Sequence, residues 1–184
     1  MIHVSKDTLR RAVLTNLVKR APKSPGRTAL MKFAYLLQAV RNVPLGYRFR
    51  LYNYGPYDEQ VLVDAREAAT AGLLKSQLVT YPHGYGYEFS LGDAGQPEMD
   101  CTADVLAEYS DDFDWIISNF GSDSASRLEL VSTLVFALCD KNRKLGKSEL
   151  IDKVHEIKPH FSKEAIGETA DQIEAILECV PCSN

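Results

Sequence analysis

The chain has 184 residues, of which 45% are hydrophobic and 25% are charged, and its net charge is −4. This composition is typical of a folded globular protein and excludes a disordered or collagen-like chain. It also contains no apolar stretch long enough to span a membrane. Four cysteines are too few and too unevenly spaced for a disulfide framework, and the first residues become charged before an apolar signal region could form, so we expect a cytoplasmic protein.

The apolar periodicity of the first half predicts three helices, over residues 5–20, 28–41 and 58–71. Runs of alternating apolar residues predict three strands, over residues 48–52, 74–81 and 85–91. Glycine and proline at 53–56 end the first strand in a turn, where we expect Gly55 to adopt a positive φ angle. Gly72 is well placed to end the third helix. The last two strands form a hairpin.

The second half is predicted to be entirely helical, with four helices over residues 102–120, 126–140, 147–157 and 162–180. Ser126 and Glu129 have the spacing of a capping box that opens the second of these helices. This helix is apolar almost all round, so we expect it to be the central buried one. The predicted fold class is therefore α+β and mainly α, with a winged-helix-like N-terminal half that includes a β-hairpin and a four-helix C-terminal half.

The charge differs between the two halves. Residues 1–92 hold 13 Lys and Arg against 6 Asp and Glu, whereas residues 93–184 hold 8 against 19. Either an anionic partner binds the first half, or the two halves attract each other across an interface. Turn-forming residues cluster at 92–98 and predict a boundary between a winged-helix-like domain, 1–92, and a helical domain, 99–184, which could also pack as one unit.

The segments 26–38 and 46–74 resemble the YwgA-like family of prokaryotic proteins and, more distantly, the SocA-like (Panacea) antitoxin domains. The matching positions are 32–38, 54–57 and 71–74, with a weaker similarity at 157–161. The resemblance covers about half of the chain. It implies winged-helix character and an antitoxin-like or adaptor-like role, in a family that is mostly described as uncharacterised.

A winged helix that reads DNA needs Arg, Lys, Asn or Gln on the helix before its hairpin. The helix over 58–71 carries four acidic residues against one arginine, Arg66, and the helix over 162–180 is also acidic. Neither helix is expected to read a groove. The remaining basic residues could hold an anionic polymer, form a solvated face or pair with the acidic half. The candidates for binding nucleic acid or another anion are Arg10, Arg11, Lys23, Arg27, Arg48 and Arg50.

Tyrosines are concentrated in the strands and turns of the first half. They could anchor a protein partner or stack on bases. Tyrosine is also a strand former, so packing inside the fold explains the enrichment without any ligand, and we favour this interpretation. The candidates for partner binding are Tyr54, Tyr57, His83 and Tyr85.

The sequence contains no recognisable pair of a nucleophile or general base with its partner, so no residue is assigned a catalytic role. Cys179 and Cys182 have the C-x-x-C spacing of a thiol or zinc site but lack a second ligand pair. The aspartates at 111, 112 and 114 lie where a helix begins, which the helix dipole favours. We therefore expect neither a metal nor a cofactor.

The sequence favours a non-catalytic regulatory or interaction protein that binds a protein partner. A DNA-binding regulator that uses the basic first half, and an enzyme of unrecognised type, are the alternatives. A homo-oligomer is compatible with the sequence, whereas a membrane partner is not expected.

Overall fold

A computed structural model describes residues 5–82, 84–93, 102–139 and 145–177. Within these ranges the chain is mainly α-helical with two antiparallel hairpins, which confirms the predicted α+β class. The elements of the first half are α1 (Lys6–Arg20), α2 (Arg27–Arg41), β1 (Arg50–Tyr52), β2 (Gly55–Tyr57), α3 (Glu59–Thr70), β3 (Leu74–Tyr81) and β4 (Gly84–Leu91). The elements of the second half are α4 (Ala103–Glu108), α5 (Ser110–Phe120), α6 (Ala125–Leu138), α7 (Lys147–Ile157) and α8 (Lys163–Leu177).

Helices α2 and α6 form the centre of the core. Both are buried along most of their length and pack against each other, and α6 is apolar on nearly every side. Phe33 and Leu37 of α2 belong to the same hydrophobic cluster as Leu134 of α6. The core therefore includes residues from both halves. Of the predicted domain boundary at 92–98, residues 94–98 lie outside the described residues.

The predicted β3–β4 hairpin is confirmed, with Leu74 opposite Leu91 and Tyr81 opposite Gly84. A second, shorter hairpin pairs β1 with β2, and Tyr52 lies opposite Gly55. Strand β2 was not predicted from the sequence, because two of its three residues are a glycine and a proline, which usually mark turns. Gly55 has the expected positive φ, 84°.

Two details of the second half differ from the sequence prediction. The helix expected over 102–120 is divided at Tyr109, whose backbone leaves the helical conformation at φ −105° and ψ 14°, so the described part of this half holds five helices instead of four. The capping box at Ser126 is also wrong. The N-cap of helix α6 is Ser124, two residues before Ser126, and its hydroxyl accepts the Arg127 N–H at 3.1 Å.

The order of elements in the first half resembles a winged helix, but the link between α2 and α3 contains the whole β1–β2 hairpin. The winged-helix assignment stays a prediction. None of the helices in the described ranges is both long enough and apolar enough to cross a membrane.

Candidate functional site

The β1–β2 hairpin exposes two large aromatic side chains. Tyr52 is 63% exposed and Tyr54 is 68% exposed. Tyr57 is half-buried, and its ring centre lies 5.7 Å from that of Tyr52. We call residues 50–57 the tyrosine hairpin. Adjacent exposed aromatics on a soluble surface are unusual, and tyrosine is enriched at the energetic centres of protein interfaces.

Two buried lysines hold the backbone of the tyrosine hairpin from beneath. Lys32 of α2 is 2% exposed and donates a hydrogen bond from Nζ to the Pro56 carbonyl oxygen at 2.6 Å. Lys158, which follows α7, is 3% exposed and donates from Nζ to the carbonyl oxygens of Tyr52, at 3.3 Å, and of Asn53. These bonds fix both sides of the turn, so its exposed tyrosines project from an ordered backbone.

A single buried carboxylate partly balances the two lysines. Glu129 of α6 lies with Oε1 2.8 Å from Lys158 Nζ. Burial lowers the pKa of Lys32 to about 8, while the charge of Glu129 acts to raise it and that of Lys158 to lower it further. We call Lys32, Glu129 and Lys158 the buried charge cluster. Replacing buried charges by apolar residues often stabilises a protein, so core stability alone does not account for this cluster.

Two exposed arginines and an exposed histidine lie in or beside the tyrosine hairpin. Arg48 and Arg50 are exposed and line a hollow beside Tyr52. Phe49 between them packs edge-on against Tyr35, so the side chains alternate along this segment as predicted. In the described part of the chain neither arginine forms an ion pair. On the other side His160 lines a second hollow against the hairpin.

The remaining basic candidates do not join these arginines in one strip. Arg10 is buried, with Nε 2.7 Å from Asp64 Oδ2, and its guanidinium lies 5.3 Å from the centre of the Tyr47 ring. Arg11 pairs with Glu67 at 3.2 Å. Carboxylates of α3 therefore pair with both guanidinium groups, which leaves Arg10 and Arg11 less available to an external anion than the exposed Arg48 and Arg50.

Two further arginines of the first half pair with the acidic second half. Arg41 lies 2.7 Å from Asp112, and Arg20 forms an ion pair with Asp114. Two of the aspartates that begin α5 thus meet cations of α1 and α2. These pairs favour the second explanation of the uneven charge, attraction between the halves, although each such partly exposed pair contributes only about 0–1 kcal/mol.

Lys23 and Arg27 lie at a different surface. They line a groove of about 630 Å³ between the start of α2, the start of α6 and the β3–β4 hairpin. The Arg27 guanidinium lies 4.0 Å from the centre of the Tyr87 ring, and Tyr85, 77% exposed, lines the same groove. The exposed basic and tyrosine candidates thus lie on two surfaces that share no residue. Arg48, Arg50 and Tyr54 lie at the tyrosine hairpin, and Lys23, Arg27 and Tyr85 lie at the groove.

Three of the sequence candidates, His83, Cys179 and Cys182, lie outside the described residues. Among the residues that are described, no group of three or more His, Cys, Asp or Glu is arranged to hold a metal ion. His155 faces the Phe161 carbonyl oxygen with Nδ1 at 2.9 Å.

Sequence reasoning missed the buried charge cluster and Tyr52. A signal was present, since Lys32 and Glu129 each interrupt a run of apolar residues that was predicted to be helical, and the helix with Glu129 was also expected to be buried. A charged residue inside such a run must find a partner, because burying an unpaired charge is very costly.

Comparison of the chain with protein-family models and with curated proteins gave no match. The resemblance to the YwgA-like and SocA-like families stays a prediction.

Proposed function

We propose that this chain is a non-catalytic interaction protein that binds a protein partner through the tyrosine hairpin. The observation that supports this proposal is the combination of two exposed tyrosines, Tyr52 and Tyr54, with a backbone that Lys32 and Lys158 hold from inside. A loop that is ordered before binding loses little conformational entropy when the partner arrives. Tyrosine adds a large contact area and a hydroxyl that can bond at the rim.

The charges near the hairpin define the partner further. Arg48 and Arg50 are exposed beside Tyr52 without ion pairs in the described residues. Complementary charge speeds association and selects among partners. We therefore expect the partner to present an apolar pocket for the tyrosines with Asp or Glu at its edge.

A DNA-binding regulator is the alternative, and fewer observations support it. The exposed charges of α3 include Glu59 and Glu67 beside Arg66, so its surface does not attract a phosphate backbone. With Arg10 and Arg11 paired to carboxylates, the exposed basic candidates form two separate pairs, Arg48 with Arg50 and Lys23 with Arg27.

Site-specific photo-crosslinking in cells of the source organism tests the proposal. Benzoylphenylalanine at position 54 should give one reproducible protein adduct. The matched control carries the same group at position 77, an exposed site on β3. Replacing Arg48 and Arg50 by Glu in the position-54 protein should reduce the adduct, because the charge complementarity is reversed. Equal labelling from positions 54 and 77, or an adduct that survives the charge reversal, would contradict the proposal.

A further inference from the structure

The groove between the start of α2, the start of α6 and the β3–β4 hairpin has the dimensions of a small-molecule site. Its volume is about 630 Å³, and ligand sites commonly occupy roughly 300–1,000 Å³. No residue of the tyrosine hairpin lines it. The groove is therefore distinct from the surface that we propose binds a protein partner.

Two cations of the groove are available to an anion. Lys23 and Arg27 are both exposed, and neither forms an ion pair within the described ranges. The Arg27 guanidinium lies 4.0 Å from the centre of the Tyr87 ring, a cation–π contact that favours this placement of its planar fork. A guanidinium fork matches the oxygens of a phosphate, and a nearby lysine adds a second positive charge.

Aromatic rings line the same groove. Tyr85 is 77% exposed, so one ring can take a flat ligand against it. Tyr81 donates from its hydroxyl to Glu88 Oε1 at 2.7 Å, which orients its ring and satisfies that carboxylate oxygen. Stacking of bases on exposed tyrosine and arginine is the usual way in which proteins hold unpaired nucleobases.

A half-buried carboxylate supplies the remaining polar group. Asp123 lines the groove, and no hydrogen bond or ion pair of its side chain is found within the described residues. Burial raises the pKa of the Asp123 carboxyl, and the charges of Arg127 and Lys23 oppose that effect. An ionised carboxylate only accepts hydrogen bonds. Guanine offers it two adjacent N–H donors, the ring N1–H and the exocyclic amine.

We propose that this groove binds a guanine nucleotide, with the phosphate at Lys23 and Arg27, the base against Tyr85 and its donor edge at Asp123. The two cations match the phosphate, the exposed ring matches the face of the base, and the unpaired acceptor matches the N–H donors of guanine. Phosphate alone would leave Tyr85 and Asp123 unused, and a nucleoside alone would leave both cations unused.

Isothermal titration calorimetry with GMP, guanosine, inorganic phosphate and AMP tests the inference on the full chain. We expect GMP to bind at least about tenfold more tightly than each of the other three ligands. Arg27→Ala and Tyr85→Ser should each weaken GMP binding about tenfold or more. Asp123→Asn should remove the preference for GMP over AMP, because the amide presents a donor as well as an acceptor. The control Arg66→Ala removes an exposed arginine of α3 outside the groove and should leave GMP binding unchanged.

Several results would overturn the inference. Absence of saturable GMP binding at millimolar concentration excludes the site. Equal affinity for GMP and inorganic phosphate indicates a simple anion site, and equal affinity for GMP and AMP removes the role of Asp123. A short single-stranded RNA that binds much more tightly than GMP indicates a polymer site. Thermal unfolding of each variant separates a lost ligand contact from a lost fold, since all three substituted side chains lie at least partly at the surface.

Discussion

Burial of Lys32 makes the stability of this protein rise at alkaline pH. The pKa of this ammonium is about 8 in the folded chain and 10.5 when it is unperturbed. Below pH 8 both states carry the proton, and the folded state bears the full cost of a buried charge. Between these two values the unfolded state binds more protons, so the free energy of unfolding increases by about 1.4 kcal/mol per pH unit. The stabilisation is complete only above the unfolded pKa and is lost as the pH falls through the folded one.

Urea denaturation of the wild type and of Lys32→Met at several pH values measures this effect. Other titrating groups cancel when the two unfolding free energies are subtracted. We expect the difference, wild type minus variant, to increase by about 3 kcal/mol between about pH 7 and about pH 10. The control, Lys23→Met, removes an exposed lysine and should give a difference that does not change with pH. A flat difference for Lys32→Met would refute the argument, because it would mean that the buried ammonium is not destabilised.

Three further predictions follow from the hairpin and its supports. Gly55→Val should destabilise the fold by about 1–2 kcal/mol or more and so lower the melting temperature. The reason is that φ is 84° and a Cβ at this position would lie 2.9 Å from a hydroxyl oxygen of α6. An unchanged melting temperature would mean that the turn relaxes. Glu129→Gln leaves Lys158 buried without its counter-charge and should cost about 3–5 kcal/mol in chemical denaturation. A loss below about 1 kcal/mol, the range of an exposed ion pair, would contradict this argument. Fluorescence anisotropy with random duplex DNA at about 150 mM salt should detect no submicromolar binding; such binding, abolished by replacing Arg48 and Arg50 with Ala, would favour the DNA-binding alternative.

Periodicity predicted the helices where one apolar face runs without interruption. Helix α2, for example, was expected over 28–41 and is found over Arg27–Arg41. The same signal failed at Tyr109, because Val105, Tyr109 and Phe113 keep the helical spacing across the break between α4 and α5. A local break that preserves the apolar face is therefore invisible to a pattern of side chains. Strand β2 was missed because two of its three residues, a glycine and a proline, are typical of turns. These residues form a strand here because the hairpin brings them opposite β1.

The exposed cations could not be separated from the buried ones by sequence. Arg10 and Arg48 both stand in the basic half, yet the guanidinium of Arg10 meets Asp64 in another helix, whereas Arg48 is exposed. Which cation finds a carboxylate depends on contacts between distant segments, and composition carries no information about them. The alternation around Phe49 was the one local signal that correctly placed Arg48 and Arg50 on a shared side.

The shapes of the two exposed surfaces argue for two different kinds of ligand. The tyrosine hairpin projects outward from supports in α2 and after α7, so its aromatic rings can enter a recess of another macromolecule. The groove beside Arg27 is concave, and a concave site encloses a small ligand more fully than a flat partner can fill it. Because the two surfaces share no residue, variants of Tyr54 should leave nucleotide binding intact, and variants of Arg27 should leave the position-54 crosslink intact. If one set of variants abolished both, the two surfaces would be coupled through α2, which carries Lys32 beneath the hairpin and Arg27 in the groove.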